Sequence, residues 1–119
     1  MKLALQALGI AAFFAMPLTA QEAITGTGAV LRGLDKVSSE TTDITIRPGQ
    51  TVAYGKLQIT LSDCRYPSGA PARAMAYLVI EDERASVPAF TGWMDASAPA
   101  LNALDHQRYD VWVLRCTTE

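Results

Sequence analysis

Chemistry-bearing side chains are scarce in this 119-residue chain, which has one histidine, His106, and two cysteines, Cys64 and Cys116. One imidazole and two thiols do not assemble the three or four ligands of a zinc site, and the carboxylates lack ligand spacing, so neither a metal nor a cofactor is expected. The acidic run Glu81-Asp82-Glu83 lacks the glycine-containing ligand loop of a calcium site and reads as a solvated turn. Gly26-Thr27-Gly28 lacks the third glycine, the lysine and the following helix of a phosphate loop. No GxSxG elbow is present to set a serine beside a base. Catalysis would therefore rest on His106 with Asp105 or Asp110, and no residue is assigned as catalytic.

An excess of positive charge is also missing. Lys and Arg total 10 against 12 Asp and Glu. Without a basic stripe, neither nucleic acid nor an anionic membrane is the expected partner. Long apolar runs are limited to Leu3 to Met16, short of the roughly 20 residues that span a bilayer. With Lys2 before it, Pro17 behind it and the small Ala20 at the cut, residues 1–20 read as a secretory signal peptide. After cleavage no integral membrane span is expected, and the location is periplasmic. Losing Lys2 leaves 9 basic residues against 12 acidic, a net charge of about −3.

The remaining chain is organised as a flexible N-terminus, 21–28, and a single β domain, 29–119. Short runs of Val, Ile, Leu, Thr and Tyr punctuated by glycine and proline are the mark of an all-β domain. Strands are expected over Ala29–Val37, Thr42–Arg47, Thr51–Tyr54, Lys56–Ser62, Ala74–Ile80, Phe90–Met94 and Tyr109–Cys116, with Pro48-Gly49 presetting a turn. Ala74–Ile80 and Tyr109–Cys116 are apolar on both faces, which predicts interior strands. A short helix is predicted after Ser97 as N-cap, with Pro99 in its first turn and Leu101 and Leu104 packing. The fold class is thus a small antiparallel sandwich with one short helix near the C-terminus.

In an exported chain two cysteines predict one disulfide, Cys64 to Cys116. Strict alternation nevertheless puts Cys64 with Thr60 and Ser62 on a polar face. Either a bulge near Asp63 turns it inward or the bridge closes at the strand's end. Alternation likewise puts Cys116 with Trp112 and Leu114, opposite Val111 and Val113. Phe90, Trp93, Tyr109 and Trp112 flank the predicted helix and form one expected apolar cluster. Trp93, beside Gly92 at a corner, is the candidate recognition anchor.

Two stretches, GAVLRGLDKVSSETTDITIRPGQTVAYGKLQITLSDC and FTGWMDASAPALNALDHQRYDVWVLRC, resemble a family of exported alphaproteobacterial proteins, domain of unknown function 2155. The resemblance implies an exported, β-rich domain with paired cysteines and carries no activity. It also brings forward Asp35 and Lys36, an adjacent acid and base at the first strand, as either a surface ion pair or a contact to a partner. The functional reading is a non-catalytic binding or assembly factor in the bacterial cell envelope, with an envelope protein as partner and Trp93, His106, Asp35 and Lys36 as candidate binding residues. The alternative is a small periplasmic hydrolase using His106 with Asp105 or Asp110.

Overall fold

A computed structural model describes Gly9 and residues 22–119; the expected signal peptide lies outside the described residues save for Gly9. Eight strands run β1 (Ala23–Thr25), β2 (Gly28–Asp35), β3 (Thr41–Ile46), β4 (Thr51–Tyr54), β5 (Leu57–Pro67), β6 (Met75–Asp82), β7 (Phe90–Asp95) and β8 (Tyr109–Thr117). All pairings are antiparallel. The larger sheet runs β1-β5-β6-β7, with β4 also on β5; the smaller runs β3-β2-β8. β1 falls within the segment expected to be a flexible terminus. It pairs with the end of β5, and the Gly26 N–H donates to the Cys64 carbonyl at 2.7 Å.

Alternation builds the core between the sheets. Leu57, Ile59 and Leu61 of β5, Ala76, Leu78 and Ile80 of β6, Leu31 of β2 and Val111 and Val113 of β8 point inward and are buried. Removing such aliphatic surface from water stabilises by roughly 1.5–3 kcal/mol per large side chain. Turn chemistry closes the hairpins. Gly49 takes φ of 82° behind Pro48, and Gly55 takes φ of 57° in the two-residue β4–β5 loop, a conformation open to glycine at little cost. β6 is central in its sheet, but its second face, with Met75, Tyr77 and Val79, is only partly covered. β8 lies at an edge rather than inside a sheet, and its apolar outer residues Trp112 and Leu114 are only partly covered.

Both cysteines reach the core through an extra residue. Leu61 pairs with Leu78 and Asp63 with Tyr77, so Ser62 has no partner on β6. In β8, Val113 pairs with Leu31 and Arg115 with Val30, leaving Leu114 out of the ladder. Each bulge shifts the alternation by one, and Cys64 and Cys116 turn inward. They form the disulfide that ties the larger sheet to the smaller, with Cα atoms 5.8 Å apart.

The predicted helix is overturned: no helix occurs among the described residues, and the segment after β7 is a pair of tight turns. The Asp95 carboxylate accepts the Ser97 N–H at 2.8 Å, so Asp95 organises the turn that Ser97 was expected to cap. Ala98 and Leu101 then donate to the carbonyls of Asp95 and Ala98, three residues back, and no four-residue ladder begins. Pro99 lacks an N–H to extend one. Leu101 is 82% exposed, leaving only Leu104 to pack. A segment with so few apolar anchors and helix-poor asparagine, proline and serine gains too little to nucleate a helix.

Candidate functional site

Three loops meet at one end of the sandwich: the β2–β3 turn, the β6–β7 connection and the segment leading into β8. The β2–β3 turn is organised by Asp35, whose carboxylate accepts the N–H of Val37 at 2.9 Å. Asp35 also accepts the Arg108 guanidinium, with Nη2 to Oδ2 at 3.1 Å. Arg108, followed by the backbone N–H groups of Val37 and Ser38, holds this carboxyl below the ordinary range. Lys36 turns to the same loop. Its N–H donates to the Arg108 carbonyl at 2.8 Å and its Nζ to the His106 carbonyl at 2.7 Å. The adjacent acid and base therefore clamp the 106–108 segment to the hairpin and do not pair with each other.

His106 lies beneath this clamp, its side chain 10% exposed. Its Nδ1 accepts the backbone N–H groups of Arg108 at 3.0 Å and Tyr109 at 3.2 Å. The ring proton therefore sits on Nε2, which donates to Asp82 Oδ2 at 2.8 Å. Asp82 also accepts the Arg84 guanidinium through both oxygens, at 3.1 Å each. Arg84 first, and His106 second, hold the Asp82 carboxyl well below the usual carboxylate range. The residue read as part of a solvated acidic turn is thus the hub of the site. The contact joins residues 24 positions apart, and only the larger sheet's return through β7 brings them together.

Above this floor lies a groove of about 730 Å³, bordered by Val37, Val87, Pro88, Arg84, Asp105 and Arg108. Val37 is 76% and Val87 68% exposed, and both border this one groove. No hydroxyl or thiol nucleophile is among the residues lining it. Both His106 nitrogens are engaged in hydrogen bonds within the fold, Nδ1 with the backbone N–H groups of Arg108 and Tyr109 and Nε2 with Asp82. Asp110 is outside this groove and Asp105 is an exposed rim residue. Among the described residues no group of three or more His, Cys, Asp or Glu could hold a metal ion, and no helix is long and apolar enough to cross a membrane.

Trp93 does not join Asp35, Lys36 and His106. It stands on the outer face of the larger sheet, edge-to-face with Tyr77 at 5.3 Å, and is half-buried. The expected aromatic cluster divides accordingly: Phe90 and Tyr109 enter the core, while Trp93 and Trp112 remain outside it. Tyr109 packs its ring 5.3 Å from that of Tyr54, closing the core beneath His106. A family model described as an uncharacterized protein conserved in bacteria, DUF2155, matches residues 29–116. No curated protein and no solved structure matches the chain.

Proposed function

This chain belongs to the DUF2155 family of uncharacterised proteins conserved in bacteria, and we propose that it is a non-catalytic binding module of the cell envelope whose recognition surface is the end groove. The observation that carries the proposal is the exposure of Val37 and Val87 on loops held rigid by the Asp35–Arg108 and Asp82–Arg84–His106 contacts. Apolar side chains carried on loops tied down by such contacts need less ordering of the chain on binding, which favours association. Arg84 and Arg108, oriented by their carboxylates, supply the polar rim of such a surface. The occupied imidazole and the lack of a lining nucleophile favour this reading over hydrolysis. Export is supported by the pattern of residues 1–20 and by the disulfide, which is compatible with an oxidising compartment.

The test is site-specific photo-crosslinking in intact cells. A crosslinker at position 37 or 87 is expected to give a discrete protein adduct, and one at the exposed Thr45 none. Val37→Glu with Val87→Glu should fold and lose the adduct formed from a crosslinker at Pro88. Equal labelling at Thr45, or an adduct untouched by the double variant, would remove the groove from the function. Processed protein from the envelope should begin at Gln21.

A further inference from the structure

Ion pairs on this protein divide by how their two partners are turned. In the Arg32–Asp43 pair, which joins β2 to β3, acid and base are open to much the same degree. At the end groove they are not. The Arg84 side chain is 63% exposed and its partner Asp82 11%; Arg108 is 48% exposed and its partner Asp35 18%. Each pair is neutral in sum, yet the face it shows to solvent is a cation.

The inward acids are occupied within the fold: Asp82 accepts from His106, and Asp35 from the Val37 N–H. Each meets its arginine side-on, through Nε and Nη2. A guanidinium holds five N–H donors in one plane, so its second edge, formed by Nη1 and the outer Nη2 hydrogen, is left over. Nη1 of neither arginine has a partner among the described residues. Arg108 is steadied further by the Tyr109 ring, whose centre is 5.4 Å from its guanidinium carbon.

We propose that the end groove takes a segment of a partner protein in which an aspartate or glutamate stands beside apolar residues, its carboxylate accepted by the free guanidinium edges and its apolar side chains lying on Val37, Val87 and Pro88. The inference rests on the reading of this groove as the recognition surface and adds the chemistry of what is recognised. A planar carboxylate matches a guanidinium edge with two parallel N–H donors. Because each arginine is already held by its own acid, less side-chain freedom is lost on contact. Asp105 narrows the choice of anion. It is exposed on the rim and has no cationic partner among the described residues. An anionic bilayer lays many charges across the rim and meets Asp105 as a like charge, which a segment with one acid need not do.

The test places a photo-crosslinker at Pro88 in intact cells and sequences the adducted segment by mass spectrometry. That segment should carry Asp or Glu beside apolar residues. Arg84→Gln with Arg108→Gln should lower the adduct about fivefold, as expected for rim charges. In this variant Asp82 keeps His106 and Asp35 keeps the Val37 N–H, so the urea midpoint and the intact bridge should report a folded protein. Should it not fold, Arg84→Lys with Arg108→Lys is the second variant: it keeps both charges without the planar fork, and the adduct should still fall. Changing the partner's acid to its amide should lower the adduct as much, and combining that change with the arginine variant should lower it no further. Three results would overturn the proposal: an adduct that persists in a folded arginine variant; an adducted segment without an acid; or binding to phosphatidylglycerol vesicles that the glutamine variant abolishes while the protein adduct persists, which gives the arginines to a lipid phosphate. In each of these the groove remains the recognition surface if Val37→Glu with Val87→Glu still abolishes the adduct. Absence of an adduct from every groove position removes that reading, and this one with it.

Discussion

Deleting Ser62 should leave this protein folded and bridged, although removing one residue from a β-strand ordinarily turns every following side chain to the wrong face. Ser62 is exposed and sits in the β5 bulge, unpaired with β6. Leu61 and Asp63 already pair with consecutive β6 residues, Leu78 and Tyr77. Without Ser62, regular alternation runs Leu61 in, Asp63 out, Cys64 in. No buried surface is lost, and the expected cost is within about 1 kcal/mol. Thr60 is the control. It separates Ile59 from Leu61, both fully buried, and its deletion makes them neighbours that cannot both face inward. One large aliphatic side chain must turn out, a loss of about 2–5 kcal/mol from transfer and unfilled space together. Urea unfolding followed by circular dichroism gives both values, and thiol titration of the denatured proteins reports the bridge. Two free thiols in the Ser62 deletion, or a stability loss matching that of the Thr60 deletion, would refute the account of the bulge as a device that turns Cys64 inward.

Replacing both Cys64 and Cys116 with Ala should cost about 4 kcal/mol, because the bridge spans a sequence separation of 52 and restricts the unfolded chain accordingly. The urea m-value should rise as that chain expands, and an unchanged midpoint would contradict the estimate. Asp82, held low by Arg84 and His106, Asp35, held low by Arg108, and Asp43, held low by Arg32, contribute stability that is present above the unfolded carboxylate pKa of about 4. That stability should be lost as pH falls below about 4 towards their folded values. Asp82→Asn should flatten this acid limb in urea titrations more than Asp43→Asn, and equal slopes would remove Asp82 as the hub.

The division between what was readable and what was not follows the range of the interactions. Asp43, Ile44, Thr45 and Ile46 alternate between polar and apolar residues, Val52 and Tyr54 share one face of the next strand, and Pro48-Gly49 sets its own backbone, so these elements are specified by neighbours in the chain. The Ser97–Leu104 segment carries helical spacing too, yet spacing stabilises a helix only when a surface receives its apolar face. Leu101 has none, and the Asp95 carboxylate offers a closer hydrogen-bond partner. Of the candidate residues, Asp35, Lys36 and His106 converge, while their hub Asp82 looked like one more surface acid. Its role arises from a partner 24 residues away.

The sequence by itself determined an all-β chain, its main strands and the identity of the bridged cysteines, since these depend on side-chain period, turn residues and the only available thiol pair. Tertiary structure decided which way those cysteines point, which strand ends at an edge and which acid meets His106. A disulfide between two sheets requires both sulfurs in the core, and the chain meets that requirement by admitting Ser62 and Leu114 as extra residues against the local alternation.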